Sequence, residues 1–260
     1  MTTKQAKATE ATEKKESASM KNTVHFILQG KGGIGKSFIS ALLAQYIKTA
    51  HGSVSAFDID QVNATLAAYD ALKVTHIPVM KPDNNLDQRK FDNLVVAILE
   101  TEEPCVIDSG ANTFLPLLQY MVENDVFEML KDSGKRVYIH SIIGGGDNLR
   151  DTANGFHSII KGISNTPVVL WLNEHFGTTD TNGKEFTETA LFKESEKSIA
   201  GLVTLHERNK DTFGLDIKEM TEARLTIEEA IATDRFNIMQ KQRIKTVARD
   251  VFGQLEKIEF

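Results

Sequence analysis

The stretch Gly30-Lys31-Gly32-Gly33-Ile34-Gly35-Lys36-Ser37 follows the apolar run 24–28 and precedes a second one, 38–47. It fits the G-x-x-x-x-G-K-[ST] pattern, with surplus glycines and a lysine directly after the first of them. Glycines let the backbone fold until successive N–H groups converge on one concavity, an anion-binding nest. The helix expected to begin near Ser37 adds the positive end of its dipole. Lys36 is placed to reach terminal phosphates, and the Ser37 hydroxyl to ligate Mg²⁺. A strand-like run before and a helix-like run after supply the context the motif needs. Residues 30–37 therefore read as a phosphate-binding loop, with Phe38 behind it as a further nucleotide contact.

Working outward, strand-like segments fall at 23–29, 53–58, 75–79, 104–108, 135–143, 167–172 and 199–205. Helix-like segments separate most of them, among them 37–50, 87–101 and 147–164. Mostly apolar, β-branched strands alternating with helices imply a three-layer α/β fold, a P-loop NTPase architecture with a mostly parallel, twisted sheet between helices. Ligands in such sheets bind at the carboxyl ends of the strands. The stretch 227–258 has no strand signal, and Ile244, Val247, Val251, Leu255 and Ile258 recur in it at helical spacing, as a core-facing stripe does.

Composition bounds the rest. The chain has 260 residues, 41% hydrophobic and 25% charged, enough to bury a substantial core. A net charge of −6 argues against wholesale coating of nucleic acid, so any DNA contact falls to a local patch. One cysteine, Cys105, excludes an internal disulfide and a cysteine-built zinc or iron–sulfur site within one chain. It lies in the apolar run 104–107 and reads as a small buried hydrophobe. With no secretory h-region and no apolar run near 18 residues, the expectation is a cytoplasmic protein without a transmembrane segment. Residues 1–22, rich in Lys, Glu, Thr, Ala and Ser, are expected to form a disordered tail before a single domain over 23–260.

Two acidic elements fall where a Mg²⁺-nucleotide site needs them. Asp58 ends the second strand, Asp60 follows two residues on, and Asp108 ends the run 104–108. In an extended segment residues two apart point the same way, so Asp58 and Asp60 are expected on one side. Carboxylates there suit a metal's shell and the orientation of an attacking water.

Lys31-Gly32-Gly33-Ile34-Gly35-Lys36-Ser37 resembles the deviant Walker A motif of the ParA/MinD class of ATPases. Asp58-x-Asp60 followed by Asn63-Ala64-Thr65 resembles that class's switch I segment. More narrowly, residues 22–256 resemble the TraL-type nucleotide-binding proteins of conjugative plasmids. Leu28-Gln29-Gly30-Lys31, Asp60-Gln61-Val62-Asn63-Ala64-Thr65, Trp171-Leu172-Asn173, Thr212-Phe213-Gly214 and Arg224-Leu225-Thr226 carry that resemblance.

The resemblance implies a switch that binds ATP and Mg²⁺, pairs two copies face to face, and releases them on hydrolysis. Its setting would be plasmid conjugation or maintenance, with a protein partner from that machinery. Lys31 would reach across the pair to the other copy's phosphates, Lys36 would bind phosphate within its own subunit, and Ser37 would ligate Mg²⁺. Asp60 would orient the hydrolytic water, with Asp58 and Asp108 in the metal's outer shell. Asn173 matches the asparagine that reads adenine in this class. The chain departs from the class at Ser109-Gly110-Ala111-Asn112 and at His206, where proline is common.

Two further features call for a reading. Arg235, Lys241, Arg243, Lys245 and Arg249 occur with no acidic residue among 235–249, which admits either a solvated face or nonspecific DNA contact. Gly144-Gly145-Gly146 lacks the Gly-Lys-Ser ending and reads as a strand-to-helix turn rather than a second phosphate cradle. Beside the switch ATPase stand two other functions: an ATP-dependent small-molecule ligase of the dethiobiotin synthetase class, and a nucleotide-binding module without turnover.

Overall fold

Alternation along the central strand sets the layers. In a computed structural model, which describes residues 20–83, 85–163, 165–181 and 183–260, β1 (Thr23–Ile27) turns Val24 and Phe26 to one face and Ile27 to the other. Through the glycine loop it leads to α1 (Lys36–His51) and β2 (Ser55–Asp58). Next come β3 (Thr75–His76), α2 (Phe91–Leu99), β4 (Cys105–Asp108), α3 (Ala111–Glu123) and α4 (Val126–Asp132). β5 (Arg136–Gly144), α5 (Leu149–Gly162) and β6 (Val168–Asn173) precede a short antiparallel hairpin, β7 (Asp180–Thr181) with β8 (Lys184–Glu185). α6 (Ala190–Ser195), β9 (Ile199–Leu205), α7 (Leu215–Glu222), α8 (Ile227–Ala232) and α9 (Ile238–Leu255) follow.

Among the described residues seven strands form one sheet in the order β3-β2-β4-β1-β5-β6-β9, every neighbouring pair parallel. Apolar residues of α2, α3, α4 and α5 pack on the Val24 face, and those of α1 and α9 on the Ile27 face. The fold is the expected three-layer α/β, P-loop NTPase-like arrangement. β1 connects toward β2 while its neighbour β4 connects the opposite way to β5, so a crevice opens between their carboxyl ends. Register puts Asp108 beside both Ile27 and Asp58 there.

Several boundaries move for local reasons. The strand expected at 75–79 stops at His76, since β3 lies at the sheet's edge and its neighbour, β2, ends at Asp58. Asp87 caps a short 3₁₀ turn by accepting from Arg89 N, and α2 proper begins only at Phe91. The part of the expected tail at residues 1–19 lies outside the described residues. Met20, assigned to that tail by composition, is instead buried in the Ile27-face core, and Asn22 N bonds Glu102 O at 2.9 Å. The helical stripe holds: Ile244, Val247, Val251, Leu255 and Ile258 are all buried. Among the described residues no helix is long and apolar enough to cross a membrane.

Candidate functional site

The crevice is built on the loop from Gly30 to Gly35. Gly33 and Gly35 take positive φ, 70° and 95°, which residues with a Cβ rarely adopt. Gly35 is the N-cap of α1 and brings no side chain to it, so the first N–H groups of a 16-residue helix face the crevice. Ile34 is clamped from below. Its side chain fills the space a Cβ on Gly144 would need, and its carbonyl accepts from Asn173 Nδ2 at 3.0 Å. Gly145 and Gly146 let the backbone at Gly177 and Thr178 come equally close. The glycine triplet is therefore a packing surface beneath the loop.

Lys36 is 7% exposed, its Nζ donating to Lys31 O at 2.8 Å inside the loop. Burial pulls its ammonium below the usual lysine range, while Asp108 and Asp60 oppose that shift. Asp108 is fully buried, and burial pushes its carboxyl up to about 7. Its Oδ1 accepts from Ser40 at 2.9 Å, and the nearby Ser37 and Ser40 hydroxyls oppose the rise, yet Oδ2 has no hydrogen-bond partner among the described residues. An orphaned buried carboxylate oxygen next to a loop serine is a place for a cation or its water.

The two other aspartates diverge. β2 ends at Asp58 and the chain turns at once, Asp60 N bonding back to Asp58 Oδ1 at 2.9 Å while Asp58 Oδ2 accepts from Ala67 N at 2.9 Å. Extended backbone was the premise for placing both on one side, and the turn removes it. Asp58 shapes the loop 58–67. Asp60 lines the crevice, its Oδ1 accepting from Val62 N and Asn63 N at 2.9 and 3.2 Å. A Cβ on Gly110 would stand 2.7 Å from the Asp60 carboxylate, so glycine at 110 is what admits it.

Lys31 does not point into the crevice: its Nζ pairs with Asp151 Oδ2 on α5 at 2.7 Å. A polar cavity of about 390 Å³ is lined by Gly33, Lys36, Ser37, Asp60, Val62 and Asn112. A larger, mostly apolar one of about 510 Å³ shares Gly33, Gly35, Phe38 and Thr65 with it and extends to Asn173, Leu205 and Phe213. Asn173 lines that second cavity, but its amide is bound to the Ile34 carbonyl and to His175 N.

Two proteins called Protein TraL, both from Escherichia coli, are each 36% identical to this chain over 234 residues, which is 90% of this chain and 97% of the relative. The chain belongs to the TraL family. No family model matches it. Among solved structures it is similar to the MinC:MinD cell division protein complex of Aquifex aeolicus, at 15% identity over 89% of this chain and 96% of that one, with a TM-score of 0.48. MinD cell division protein of the same organism gives 15% identity over 89% and 97%, with a TM-score of 0.45.

Some residues that shape the site in this TraL-family chain carry no signal in the motifs. Gln29, Ser40, Gly144, Asp151 and Gly155 act through partners far off in sequence, and of these only Gln29 and Gly144 lie within quoted strings. Of the basic residues in 235–249, Arg243 is held by Asp216 at 2.5 Å and Arg235 by Glu219 at 3.0 Å. Lys241, Lys245 and Arg249 remain along α9, the last two exposed. His206 is a loop residue, its Nδ1 3.3 Å from Glu174 Oε2. Cys105 is buried, and burial pushes its thiol up to about 12, which makes it inert.

Proposed function

We propose that this chain is a ParA/MinD-like ATPase that binds ATP with Mg²⁺, pairs with a second copy, and hydrolyses ATP as a switch in plasmid conjugative transfer or maintenance, with residues 23–260 as one ATPase unit. The observation that carries the reading is the open N-terminus of α1 with Lys36 inside its loop, beside Asp108 and its unpartnered oxygen. A triphosphate suits the polar cavity, and a nucleoside the apolar one that opens from it at Phe38.

The residues fit the cation. The Ser37 hydroxyl would ligate Mg²⁺ directly, and Asp108 Oδ2 would hold one of its waters, since Mg²⁺ keeps several waters beside a phosphate. When bound, the cation neutralises charge on the β- and γ-phosphates. Asp58 stands one step back and keeps the Asp60 loop in shape. Asp60, held against Gly110, orients the attacking water. Lys36 binds phosphate in its own subunit, and Lys31 leaves Asp151 to reach the other copy's phosphates. Val62, 66% exposed at the crevice mouth, supplies apolar contact across that pair. Lys241, Lys245 and Arg249, with Arg235 and Arg243 in support, offer nonspecific contact to DNA, and a protein of the transfer machinery stimulates turnover.

Sedimentation with and without ATP-Mg²⁺ tests the reading. Wild type shifts from monomer to dimer with ATP and not with ADP, and Lys31→Ala stays monomeric. A monomer under every condition contradicts it.

A further inference from the structure

Gln29 is fully buried at the junction of β1 and the loop, and its amide bonds in three directions. Nε2 donates to Ile142 O on β5 at 2.7 Å and to Thr152 O on α5 at 3.1 Å, while Oε1 accepts from Gly30 N at 2.8 Å. The amide occupies a hollow on α5 left by Gly155, where any side chain would overlap it. Thr152 is itself fastened to the turn beneath the loop, its hydroxyl accepting from Gly144 N at 3.1 Å. Asp151, its neighbour on α5, holds Lys31.

One buried amide thus sets the distance between the start of the loop and the first turns of α5, the two places from which Lys31 and Asp151 project. It also takes up the Gly30 N–H, so the anion nest begins at Lys31. An apolar residue of similar size would fill the hollow, but it would leave two buried carbonyls and the Gly30 N–H short of these bonds. A shorter amide would not span the gap.

We propose that Gln29 is the positioning residue for Lys31, pinning the loop to α5 so that the lysine is presented at one fixed place along the crevice rim. Its effect on turnover rests on the nucleotide reading above. Its effect on the loop does not.

Gly155→Ala is the test, because alanine favours the helix over glycine while its Cβ displaces the Gln29 amide. In the nucleotide-free protein, exchange of the Gly30 amide should accelerate by about tenfold or more, with Phe26 and Ile27 still protected. ATP turnover should fall to the level of Lys31→Ala, and adding Gly155→Ala to Lys31→Ala should cost nothing further, as for residues that act as one unit. Gln29→Met, which keeps the size and removes the bonds, should repeat both results. Unchanged exchange at Gly30 in both variants, or losses that add to that of Lys31→Ala, overturns the proposal. A wild-type protein that binds no ATP overturns the nucleotide reading instead, and the exchange data then decide Gln29 on their own.

Discussion

Lys31 and Asp151 form an ion pair within one chain, Nζ to Oδ2 at 2.7 Å, with side-chain exposures of 36% and 55%. Lys31 must leave that partner before it can serve a second subunit, so the pair competes with dimerisation. Exposed pairs are weak and screened by salt, so the competition is mild. Asp151→Asn should therefore strengthen ATP-dependent pairing a few-fold at low salt, with little gain at high salt and almost no change in Tm. Equilibrium sedimentation at two salt concentrations checks this; weaker pairing in the variant would show that Asp151 assists Lys31.

Asp108 gives a prediction of opposite signs for stability and function. Its carboxyl is raised to about 7 by burial, so its ionised form costs the nucleotide-free fold stability, a cost that grows as pH rises from the ordinary carboxylate range toward 7. Asp108→Asn should stabilise the nucleotide-free protein at pH 7.5, by the order of a few kcal/mol, and so raise its Tm. It should also erase the gain in ATP affinity that Mg²⁺ gives wild type. Melting curves and ATP titrations in Mg²⁺ and in EDTA read both; a lower Tm with Mg²⁺ dependence intact would contradict the assignment.

These two residues mark how far the sequence was legible. Lys36, Ser37 and Asp108 lie in a contiguous motif or at the end of an apolar run, and local pattern suffices to find them. The same patterns show most strands, because a parallel sheet buried on both faces needs near-continuous apolar runs. Asp151, Ser40, Gln29 and Gly155 matter through contacts made far along the chain, Ser40 to Asp108 and Gln29 to α5, and no local signal shows those roles. Local geometry misled where the backbone turned early, as at Asp58.

Gly110→Ala tests the role of Asp60 without altering Asp60. The backbone at Gly110, φ −70° and ψ 157°, accepts alanine, so the only strain is the Cβ 2.7 Å from the carboxylate. Displacing a group that orients water by about 1 Å costs on the order of a hundredfold in turnover. Steady-state kinetics should show that loss in kcat with ATP Kd nearly unchanged. Equal kcat would remove Asp60 from its role.

A buried histidine pair predicts acid sensitivity. Trp171 Nε1 can only donate, and it lies 2.9 Å from His140 Nδ1, so neutral His140 carries its proton on Nε2 and donates it to His25 Nδ1 at 3.0 Å. The remaining proton of His25, on Nε2, has no acceptor among the described residues, and neither ring has a place for a second proton. Burial lowers His140 to about 3 and His25 well below its usual value. Folded-state values depressed below 6.5 mean stability is present above pH 6.5 and lost as pH falls toward them, by about 1.4 kcal/mol per pH unit for each ring. Thermal unfolding from pH 7.5 to 5 should show that slope, and ¹⁵N spectra should keep His140 neutral throughout. An imidazolium signal from His140 at pH 5.5 in the folded protein would contradict it.

Calorimetric titration of ATP-Mg²⁺ into wild type and Lys36→Ala tests the central claim most directly. One saturable site per wild-type chain, lost in a folded Lys36→Ala protein, is the result expected of a triphosphate seated on the N-terminus of α1. No binding to wild type, or equal binding to Lys36→Ala, would contradict it.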